Sequence, residues 1–582
     1  MVVHSGDLDQ AQILGIIFSV SIVLAAIGPL FLAIIFSSSS TAPTVPSQAL
    51  NVPSIVPKTA SPIVDLSFPG FAFEQNSFYV FAFNETGSPN TFSQHLISSV
   101  LNRTGGAPIL RVGGTSGDFA RYNGSQKDYS IPPALQQPPY IHKPYLSIGP
   151  SFFKAFQSFP GARYIFQVPL AMDDLKETLQ WTKLGLDHIG ADNLESLEIG
   201  NEPNFYKHYS LADYVEQHNT FATALSKNYS RLAGAPIYQA LDIAWGGGSR
   251  NNIQRAFDAG IDRNKNIKTV AYHMYQGLNH NDGLSGLQRR IADHTKIVNA
   301  LAIFGRFARY LQTTHPHIPI VLDEVGNSLS RQSGLNQRNN LATCLWNIDM
   351  QLQSMAIGVR RVNMQQMLFE GYSMWTPIAS YATDANEPTL SSNSIAQLRN
   401  TTKVRRSARN AVGHRAYQRP HSQGKGTQAG KLIPAQVRAN YYSQPFVADF
   451  IGSSNATRVH EIRTRSPEYL AANAAYDHDI LSRISLINFH LWDKADTGGD
   501  RPVANITFSG LQKGRSVRVD VLSAEEGTYA TSTLMYKGLQ WTYESDGIER
   551  MVGNDSAIVE VSKVGTMSVE LAATSAVMLI LL

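Results

Sequence analysis

Short apolar runs, each followed by a stretch in which apolar residues recur with helical spacing, alternate along the chain from Ile63 onward. This alternation is typical of parallel strands joined by helices, because the helices cover both faces of a parallel sheet. Eight such strands are enough to close a (β/α)8 barrel. We therefore predict an α/β fold, a (β/α)8 TIM barrel, with an open doubly wound sheet as the alternative. The predicted strands are Phe68–Gln75, Ile109–Asp118, Tyr164–Leu170, Ser196–Pro203, Tyr238–Trp245, Lys268–Gln276, Ile318–Asn327 and Val359–Gln366.

The pattern changes towards the C-terminus. Runs such as His478–His490, Ser516–Ser523 and Met567–Leu582 alternate apolar and polar residues or are apolar in short bursts, with turn residues between them. Short strands of this kind predict a C-terminal antiparallel β-sandwich domain. The last run is also similar to the hydrophobic end of a GPI-anchor signal, but it lacks a polar spacer, so a final sandwich strand is favoured.

The N-terminal segment Ala11–Phe36 contains 26 residues without a charge, and roughly 20 apolar residues suffice to span a bilayer. We expect an uncleaved signal-anchor, with a cleaved signal peptide as the alternative. Residues 37–60 are rich in Ser, Thr and Pro and are expected to form an extended stem. We therefore expect a secretory-pathway protein, extracellular or at the cell surface, with a single membrane-spanning segment. N-glycosylation is expected at eight Asn-X-Ser/Thr sites, Asn84, Asn102, Asn123, Asn228, Asn400, Asn455, Asn505 and Asn554.

Composition and charge exclude several classes of protein. A chain of 582 residues with 43% hydrophobic and 16% charged residues is too apolar for disorder and too long for one small domain. The single cysteine, Cys344, excludes an intramolecular disulfide framework, and no Cys and His cluster has the spacing of a zinc site.

Positive charge is concentrated in one segment. Between Pro388 and Val447 there are ten Lys or Arg and no Asp or Glu, so subtracting ten from the net +4 leaves −6 for the rest of the chain. Because the rest of the chain is acidic, no nucleic-acid partner is expected. Residues 386–431 are polar and aperiodic and predict an insertion, for which disorder, an error in the gene model and polyanion binding stay open. The predicted domains are the anchor 1–36, stem 37–60, barrel 61–385, insertion 386–431 and sandwich 432–582.

Two predicted strands, the fourth and the seventh, end in a glutamate. Glu202 precedes Pro203, which predicts an extended backbone at the strand end, and Glu324 follows Asp323, which should point to the opposite face of a regular strand. Strand ends meet at one mouth of a barrel, and glycoside hydrolysis needs two carboxylates, about 5–5.5 Å apart in a retaining mechanism. Asn201 and Tyr275 are placed to orient this pair. The alternative for either glutamate alone is a salt-bridged surface residue.

LRVGGTSGDF (Leu110–Phe119) and IGNEP (Ile199–Pro203) resemble the second-strand and acid/base-strand motifs of glycoside hydrolase family 79, the β-glucuronidases and heparanase-like enzymes of the retaining clan A. The resemblance extends from about Pro62 to the C-terminus, is closest to fungal members, and implies Glu202 as acid/base and Glu324 as nucleophile. It also implies sugar contacts by Glu74, Thr115, Asp118, Asn201 and Tyr275.

The eighth-strand region, EGYSMWTPI, contains Tyr372 and Trp375, which we expect near the carboxylate of the sugar. Trp375 stands where the resemblance leads us to expect tyrosine, and no tyrosine follows Glu324 closely, so the exact sugar stays open. Loop hydrogen bonding is the alternative for Glu74 and Asp118, and a packing or stacking role is the alternative for Tyr372.

The function implied is a retaining glycosidase that releases β-linked glucuronic acid, plain or 4-O-methylated, from glycans or proteoglycans. No metal or organic cofactor is expected. Two alternatives stay open, a clan A exo-glycosidase acting on a neutral sugar and a non-catalytic cell-surface glycan-binding protein.

Overall fold

The computed structural model describes residues 46–131, 146–190, 192–207, 209–244, 252–277, 283–328, 338–368, 373–383, 387–389 and 431–582. The predicted anchor Ala11–Phe36, the first part of the stem, Tyr372 and residues 390–430 of the predicted insertion lie outside these ranges. Within the described ranges, no helix has both the length and the apolar character needed to cross a membrane.

The described residues form strands β1 to β28 and helices α1 to α11. The strands are β1 Gln48–Asn51, β2 Pro69–Glu74, β3 Ile109–Gly113, β4 Ala120–Tyr122, β5 Ser130–Ile131, β6 Leu146–Ile148, β7 Arg163–Val168, β8 Leu194–Ile199, β9 Tyr238–Ala244, β10 Ile267–Gly277, β11 Ile320–Ser328, β12 Val362–Gln366, β13 Trp375–Thr376, β14 Ser380–Thr383, β15 Glu387–Thr389, β16 Lys431–Ile433, β17 Gln436–Val437, β18 Thr457–Glu461, β19 Leu470–Asp477, β20 Ile480–Asn488, β21 Val503–Ser509, β22 Ser516–Ser523, β23 Met535–Tyr536, β24 Leu539–Gln540, β25 Arg550–Met551, β26 Ser556–Glu560, β27 Met567–Ala572 and β28 Ser575–Leu581. The helices are α1 Gln75–Ala82, α2 Thr91–Thr104, α3 Thr115–Asp118, α4 Pro150–Phe153, α5 Leu175–Ile189, α6 Leu211–Asn228, α7 Ile253–Asp258, α8 Gly283–Arg290, α9 His294–Thr314, α10 Leu341–Ala356 and α11 Ser443–Ile451.

Eight parallel strands close a barrel in the order β2, β3, β7, β8, β9, β10, β11 and β12, with β12 pairing back to β2. These are the eight strands that the sequence predicted, and the TIM barrel is confirmed. Helices surround the barrel, and several begin at a side chain that accepts a hydrogen bond from the first turn, as Asp174 does for α5 and Ser210 for α6. Because every strand is parallel, the carboxyl ends all open at one mouth.

The C-terminal domain packs an antiparallel sheet against a smaller sheet that is antiparallel except for one parallel edge strand, and the predicted sandwich is confirmed. The larger sheet contains β18, β19, β20, β28 and β22 to β26, and the smaller one contains β1, β21 and β27. A separate apolar core lies between the two sheets and includes Leu50, Leu486, Phe508 and Leu579. Helix α10 is buried along almost its whole length because it contacts both the barrel and the larger sheet.

Two predicted domain limits were wrong. Gln48–Asn51 was expected in the stem but forms β1, which pairs in parallel with β21 of the sandwich. Helix α11 was expected in the sandwich, yet it packs against α2 and α10 around the barrel, and Tyr441 just before it donates to the carbonyl of Leu96 on α2 (2.8 Å). The barrel therefore receives its last helix from beyond the insertion. Local patterns mark elements but do not show which core an element joins.

Candidate active site

Three ionisable side chains meet at the mouth of the barrel, and we call Glu202, His273 and Glu324 the mouth triad. One side-chain atom from each lies within 4.8 Å of the others. His273 Nδ1 is 3.1 Å from Glu202 Oε1 and 3.8 Å from Glu324 Oε2, so the imidazole stands between the two carboxylates. Burial lowers the pKa of His273, but the two glutamates outweigh it and the pKa is raised overall. The close carboxylates match a retaining glycosidase, in which about 5–5.5 Å separates them.

Glu202 reaches the triad through a turn and not at the end of an extended strand. Its φ of 46° and ψ of 53° lie in the left-handed region, and Gly200 before it has φ 81°. The backbone N–H of Glu202 donates to the carbonyl of Asp242 on the neighbouring strand (2.9 Å). The extended conformation expected before Pro203 was therefore wrong, because this tertiary hydrogen bond and the following 3-10 helix outweigh the local preference.

Glu324 is held by two donors. The Tyr275 hydroxyl donates to Oε1 (2.6 Å) and Arg111 Nη1 donates to Oε2 (2.9 Å). Burial alone raises the carboxyl's pKa, but His273, Arg111 and the tyrosine hydrogen bond outweigh burial and lower the pKa of Glu324. The carboxylate is thus ionised and oriented, which a nucleophile requires. Tyr275 lies where the sequence prediction expected it.

Asp323 does not point away from Glu324 as a regular strand would require. The register between β10 and β11 shifts just before His273, which leaves Asp323 as an extra residue on β11. Asp323 Oδ2 accepts from Gln239 Nε2 (2.6 Å) and lies 3.8 Å from Arg111 Nε, inside the barrel. The bulge directs two consecutive carboxyls inward, and alternation along the sequence gives no sign of it.

Arg111 is the central residue that sequence reasoning missed. It is fully buried on β3 and makes paired hydrogen bonds to Glu198, from Nε to Oε2 (2.9 Å) and from Nη2 to Oε1 (2.6 Å). Nη2 also donates to Asn201 Oδ1 (2.7 Å). One guanidinium therefore orients both Glu324 and the residue before Glu202. The available signal was an arginine in the middle of an apolar strand, which is seldom buried unless it is paired.

A second group of carboxyls, the inner cluster, lies below the mouth and consists of Glu198, Asp242 and Asp323. Their oxygens come within 4.8 Å of one another, and all three residues are buried. Burial raises the pKa of Glu198 to about 7, and burial together with the neighbouring carboxylates raises that of Asp242 well above its usual range. Three buried negative charges beside one arginine are unstable, so the cluster retains a proton.

Both the mouth triad and the inner cluster have the spacing of metal ligands. In each group, however, Arg111 already forms an ion pair with a glutamate, at 2.6 Å to Glu198 and 2.9 Å to Glu324. A metal ion at either position would have to compete with this guanidinium.

Glu74 lies at the end of β2, close enough to Glu324 to sense its charge. Its Oε1 accepts from the backbone N–H and hydroxyl of Ser116 (2.8 and 2.6 Å) and Oε2 accepts from Gln365 Nε2 (3.3 Å). Burial, followed by the charge of Glu324, raises the pKa of Glu74 to about 7. Thr115 is exposed at the start of α3, beside Ser116. Sugar contacts by Glu74, Thr115 and Asn201 stay predictions.

Asp118 positions loops and does not face the mouth with a free oxygen. Oδ1 accepts from the backbone N–H of Leu170 (3.0 Å), and Oδ2 accepts from that of Asn201 (2.9 Å) and from the Tyr206 hydroxyl (2.5 Å). Burial raises the pKa of Asp118 to about 6 despite these donors. At 1% exposure, Asp118 makes the loop hydrogen bonds that were its alternative role, and its sugar contact stays a prediction.

Trp375 is also a packing residue. It is 1% exposed, its ring lies edge-on to Phe71 and Phe81, and its indole N–H donates to Ser93 Oγ (2.9 Å). The ring is thus enclosed by protein, and the contact of Trp375 with the sugar carboxylate stays a prediction that nothing here tests. Tyr372, predicted with it, lies outside the described residues.

The chain is similar to known proteins over most of its length. Residues 472–578 match the glycosyl hydrolase family 79 C-terminal beta domain. A β-glucuronidase from Aspergillus niger is 24% identical over 526 residues, which are 86% of this chain and 87% of that protein. A β-glucuronidase from Neurospora crassa is 26% identical over 549 residues, 87% of this chain and 90% of that protein.

Solved structures share the fold. A 4-O-α-L-rhamnosyl-β-D-glucuronidase from Fusarium oxysporum 12S covers 92% of this chain and 100% of its own, with TM-score 0.68 and 17% identity. An arabinofuranosidase of family 51 from Xanthomonas axonopodis pv. citri covers 90% and 98%, with TM-score 0.54 and 12% identity. The comparisons and the mouth triad point to the same class of protein, a glycoside hydrolase. The comparisons supply the matched C-terminal domain, the two relatives and the shared barrel-and-sandwich architecture. These findings support placing the chain in glycoside hydrolase family 79.

Proposed function

We propose that this protein is a retaining glycoside hydrolase that releases β-linked glucuronic acid, plain or 4-O-methylated, from glycans or proteoglycans. The observation that carries the proposal is the pair of carboxylates, Glu202 and Glu324, with oxygens within 4.8 Å and the pKa of the second one lowered. An inverting enzyme needs about 6.5–9.5 Å between them to admit a water molecule. The similarity to two β-glucuronidases over 86% and 87% of the chain supports the choice of sugar.

The reaction follows from the positions of the two glutamates. Glu202 gives its proton to the glycosidic oxygen while Glu324 attacks the anomeric carbon, so the bond to the leaving group breaks and a glycosyl ester forms. Glu202, now ionised, then takes a proton from water, and the oxygen of that water displaces Glu324 from the same carbon. Each step inverts the configuration, so the released sugar retains the original one.

Arg111 and His273 supply the positive charge that this cycle needs. Arg111 contacts Glu324, and His273 stands beside both glutamates. An anionic sugar adds a further negative charge, and Glu74 would oppose it when ionised. Because the pKa of Glu74 is raised to about 7, the residue is neutral in weakly acidic solution. Glucuronide binding should therefore be favoured below neutral pH.

The test is hydrolysis of 4-nitrophenyl β-D-glucuronide beside the β-D-glucoside and β-D-xyloside, with Glu324→Gln and Glu202→Gln as controls. We expect glucuronide turnover that E324Q abolishes, release of the β-anomer by NMR, and recovery of E202Q by azide. Turnover of a neutral sugar alone would retain the mechanism and refute the specificity. Salt-sensitive glycan binding without any hydrolysis would instead favour the glycan-binding protein.

We also propose that the protein passes through the secretory pathway and acts at the cell surface or outside the cell. The uncharged segment Ala11–Phe36 and the eight acceptor sites support this. Among the acceptor asparagines that the structure describes, Asn123 is buried, and five are exposed, Asn102, Asn228, Asn455, Asn505 and Asn554. Endoglycosidase treatment of the protein from a eukaryotic host should lower its mass. An unchanged mass, with the protein in the cytosolic fraction, would refute the proposal.

A further inference from the structure

A group of charged side chains lies at the end of the barrel opposite the mouth, and we call it the floor cluster. Each member precedes a barrel strand or is one of its first two residues, and the amino ends of parallel strands meet at one end of a barrel. Every member forms an ion pair within the group, which consists of Asp65, Arg163, Glu195, Lys268, Arg360 and Arg361. Four basic side chains are set against two carboxylates, so the cluster has an excess of positive charge.

Two members are directed to the floor by irregularities in the barrel. The register between β7 and β8 shifts so that Glu195 is an extra residue on β8, and the register between β9 and β10 shifts so that Lys268 is an extra residue on β10. Bulges of this kind re-aim a side chain and are common at the rims of barrels. Lys268 Nζ lies 3.2 Å from Glu195 Oε1 and also donates to the carbonyl of Glu195. The two bulges therefore bring opposite charges together at the floor.

Glu195 is the carboxylate on which most of the cluster converges. It is 6% exposed, Arg163 forms an ion pair with it, and Arg361 Nη2 lies 3.6 Å from its Oε1. Burial raises the pKa of Glu195, but these two arginines and Lys268 outweigh burial and lower the pKa. One carboxylate thus faces three cations, and its two oxygens cannot accept from all of their N–H groups.

Arg361 is the cation that this sharing leaves short of acceptors. It is 4% exposed, yet neither Nε nor Nη1 has a hydrogen-bond acceptor among the residues that the structure describes. Nη2 lies 3.6 Å from Glu195 and 3.9 Å from Asp65, which is longer than a hydrogen bond. An arginine keeps its proton at ordinary pH, so its buried N–H groups are costly without an acceptor. Such a guanidinium, in a cluster with excess positive charge, has the chemistry of an anion site.

We propose that the floor of the barrel binds a small inorganic anion, of the size of chloride, against Arg361. The anion accepts a hydrogen bond from an unused N–H group of Arg361 and reduces the excess positive charge of the floor cluster. Because Arg361 is almost wholly enclosed, a large ligand such as an acidic peptide or a glycan does not reach it. The site lies at the opposite end of the barrel from Glu202 and Glu324, so the anion stabilises the fold and takes no part in the proposed reaction.

The test measures the melting temperature (Tm) of the full chain while sodium chloride replaces sodium gluconate at constant ionic strength and pH. We expect Tm to rise by about 1–3 °C and then to saturate, because an anion that binds only the native state stabilises it. Arg361→Gln should abolish this rise. Arg163→Gln removes a cation whose side chain is 41% exposed, and it should raise the chloride concentration at half of the effect about fivefold.

Arg483→Gln is the matched control, because Arg483 is also a buried arginine but donates to the carbonyls of Phe450 (2.8 Å) and Ile451 (3.0 Å). It should lower Tm and keep the full rise with chloride. A wild-type Tm that does not depend on chloride, or a rise that R361Q retains, would refute the site. If R361Q does not fold, R163Q and wild-type crystals soaked in bromide decide: anomalous density beside Arg361 supports the site, and its absence there refutes it. Neither result depends on the glycosidase activity.

Discussion

Replacing Arg111 with lysine keeps a positive charge in the barrel but removes the planar fork that serves three partners. The guanidinium makes two hydrogen bonds to Glu198, one to Glu324 and one to Asn201, at 2.6–2.9 Å. An ammonium group is a point donor and cannot pair with Glu198 on both oxygens while it reaches Glu324. We expect at least two of these bonds to be lost in R111K.

The structure sets the size of the effect. Hydrogen bonds to charged groups contribute about 1.5–3 kcal/mol each, so losing two lowers the free energy of unfolding by about 3–6 kcal/mol. Breaking a buried ion pair by removing one partner costs about 3–5 kcal/mol, and this range agrees with the loss calculated from the hydrogen bonds. The bond to Glu324 alone corresponds to a fall in kcat/KM of about 10- to 100-fold.

The measurements are urea unfolding followed by tryptophan fluorescence and kcat/KM on 4-nitrophenyl β-D-glucuronide. The double variant R111K/E198Q separates the two effects, because neutralising Glu198 removes its unpaired charge without restoring the contact with Glu324. Stability should recover in part, and activity should not. A R111K protein with wild-type stability and activity would show that the guanidinium does not organise the site.

Three further predictions concern individual residues of the site. Tyr275→Phe removes a donor from Glu324, so the pKa of Glu324 should rise. The acidic limb of the pH profile of kcat/KM should then move upward by about one pH unit, and the rate should fall about tenfold. An unchanged acidic limb would contradict this prediction. Stability should fall as pH rises from about 4.5 to 7, by about 1.4 kcal/mol per pH unit for a carboxyl such as Glu74, because the native state keeps a proton that the unfolded chain has lost. Melting temperatures between pH 4.5 and 8 measure this, Glu74→Gln should flatten the slope, and stability that rises with pH would refute the assignment. Trp375→Ala should destabilise the protein by about 3–5 kcal/mol, because it leaves a cavity, and should leave KM for the glucuronide unchanged. A raised KM with unchanged stability would instead show that Trp375 contacts the sugar.

The parts of the site that could be predicted from the sequence are those that depend on strand order. Glu202 follows the fourth strand of the barrel and Glu324 lies on the seventh, and parallel strands present their carboxyl ends at one mouth. Tyr275 was predicted for the same reason, since β10 pairs with β11. In each case, a local pattern and a general rule of barrel topology were sufficient.

The parts that could not be predicted depend on which side chains meet inside the barrel. Asp118 and Trp375 stand in motifs that resemble the family's substrate loops, and only the structure shows the hydrogen bonds of Asp118 and the rings packed around Trp375. The role of Arg111 in orienting the site depends on Glu198 and Glu324, which lie 87 and 213 residues further along the chain. No local window contains these partners.

The sequence by itself therefore determined the eight strands, the change to a sandwich and the choice of the two glutamates. Short-range periodicity predicts the strands and the sandwich, and the position of each glutamate after an apolar run marks it as a candidate. The tertiary structure decided the left-handed turn at Glu202, the bulge that directs Asp323 inward, and the recruitment of β1 and α11 to cores far from them in sequence. The physical reason is common to all of these. Pairing across strands and burial of charge act between residues that are distant in sequence, and they can outweigh the local preferences from which a sequence is interpreted.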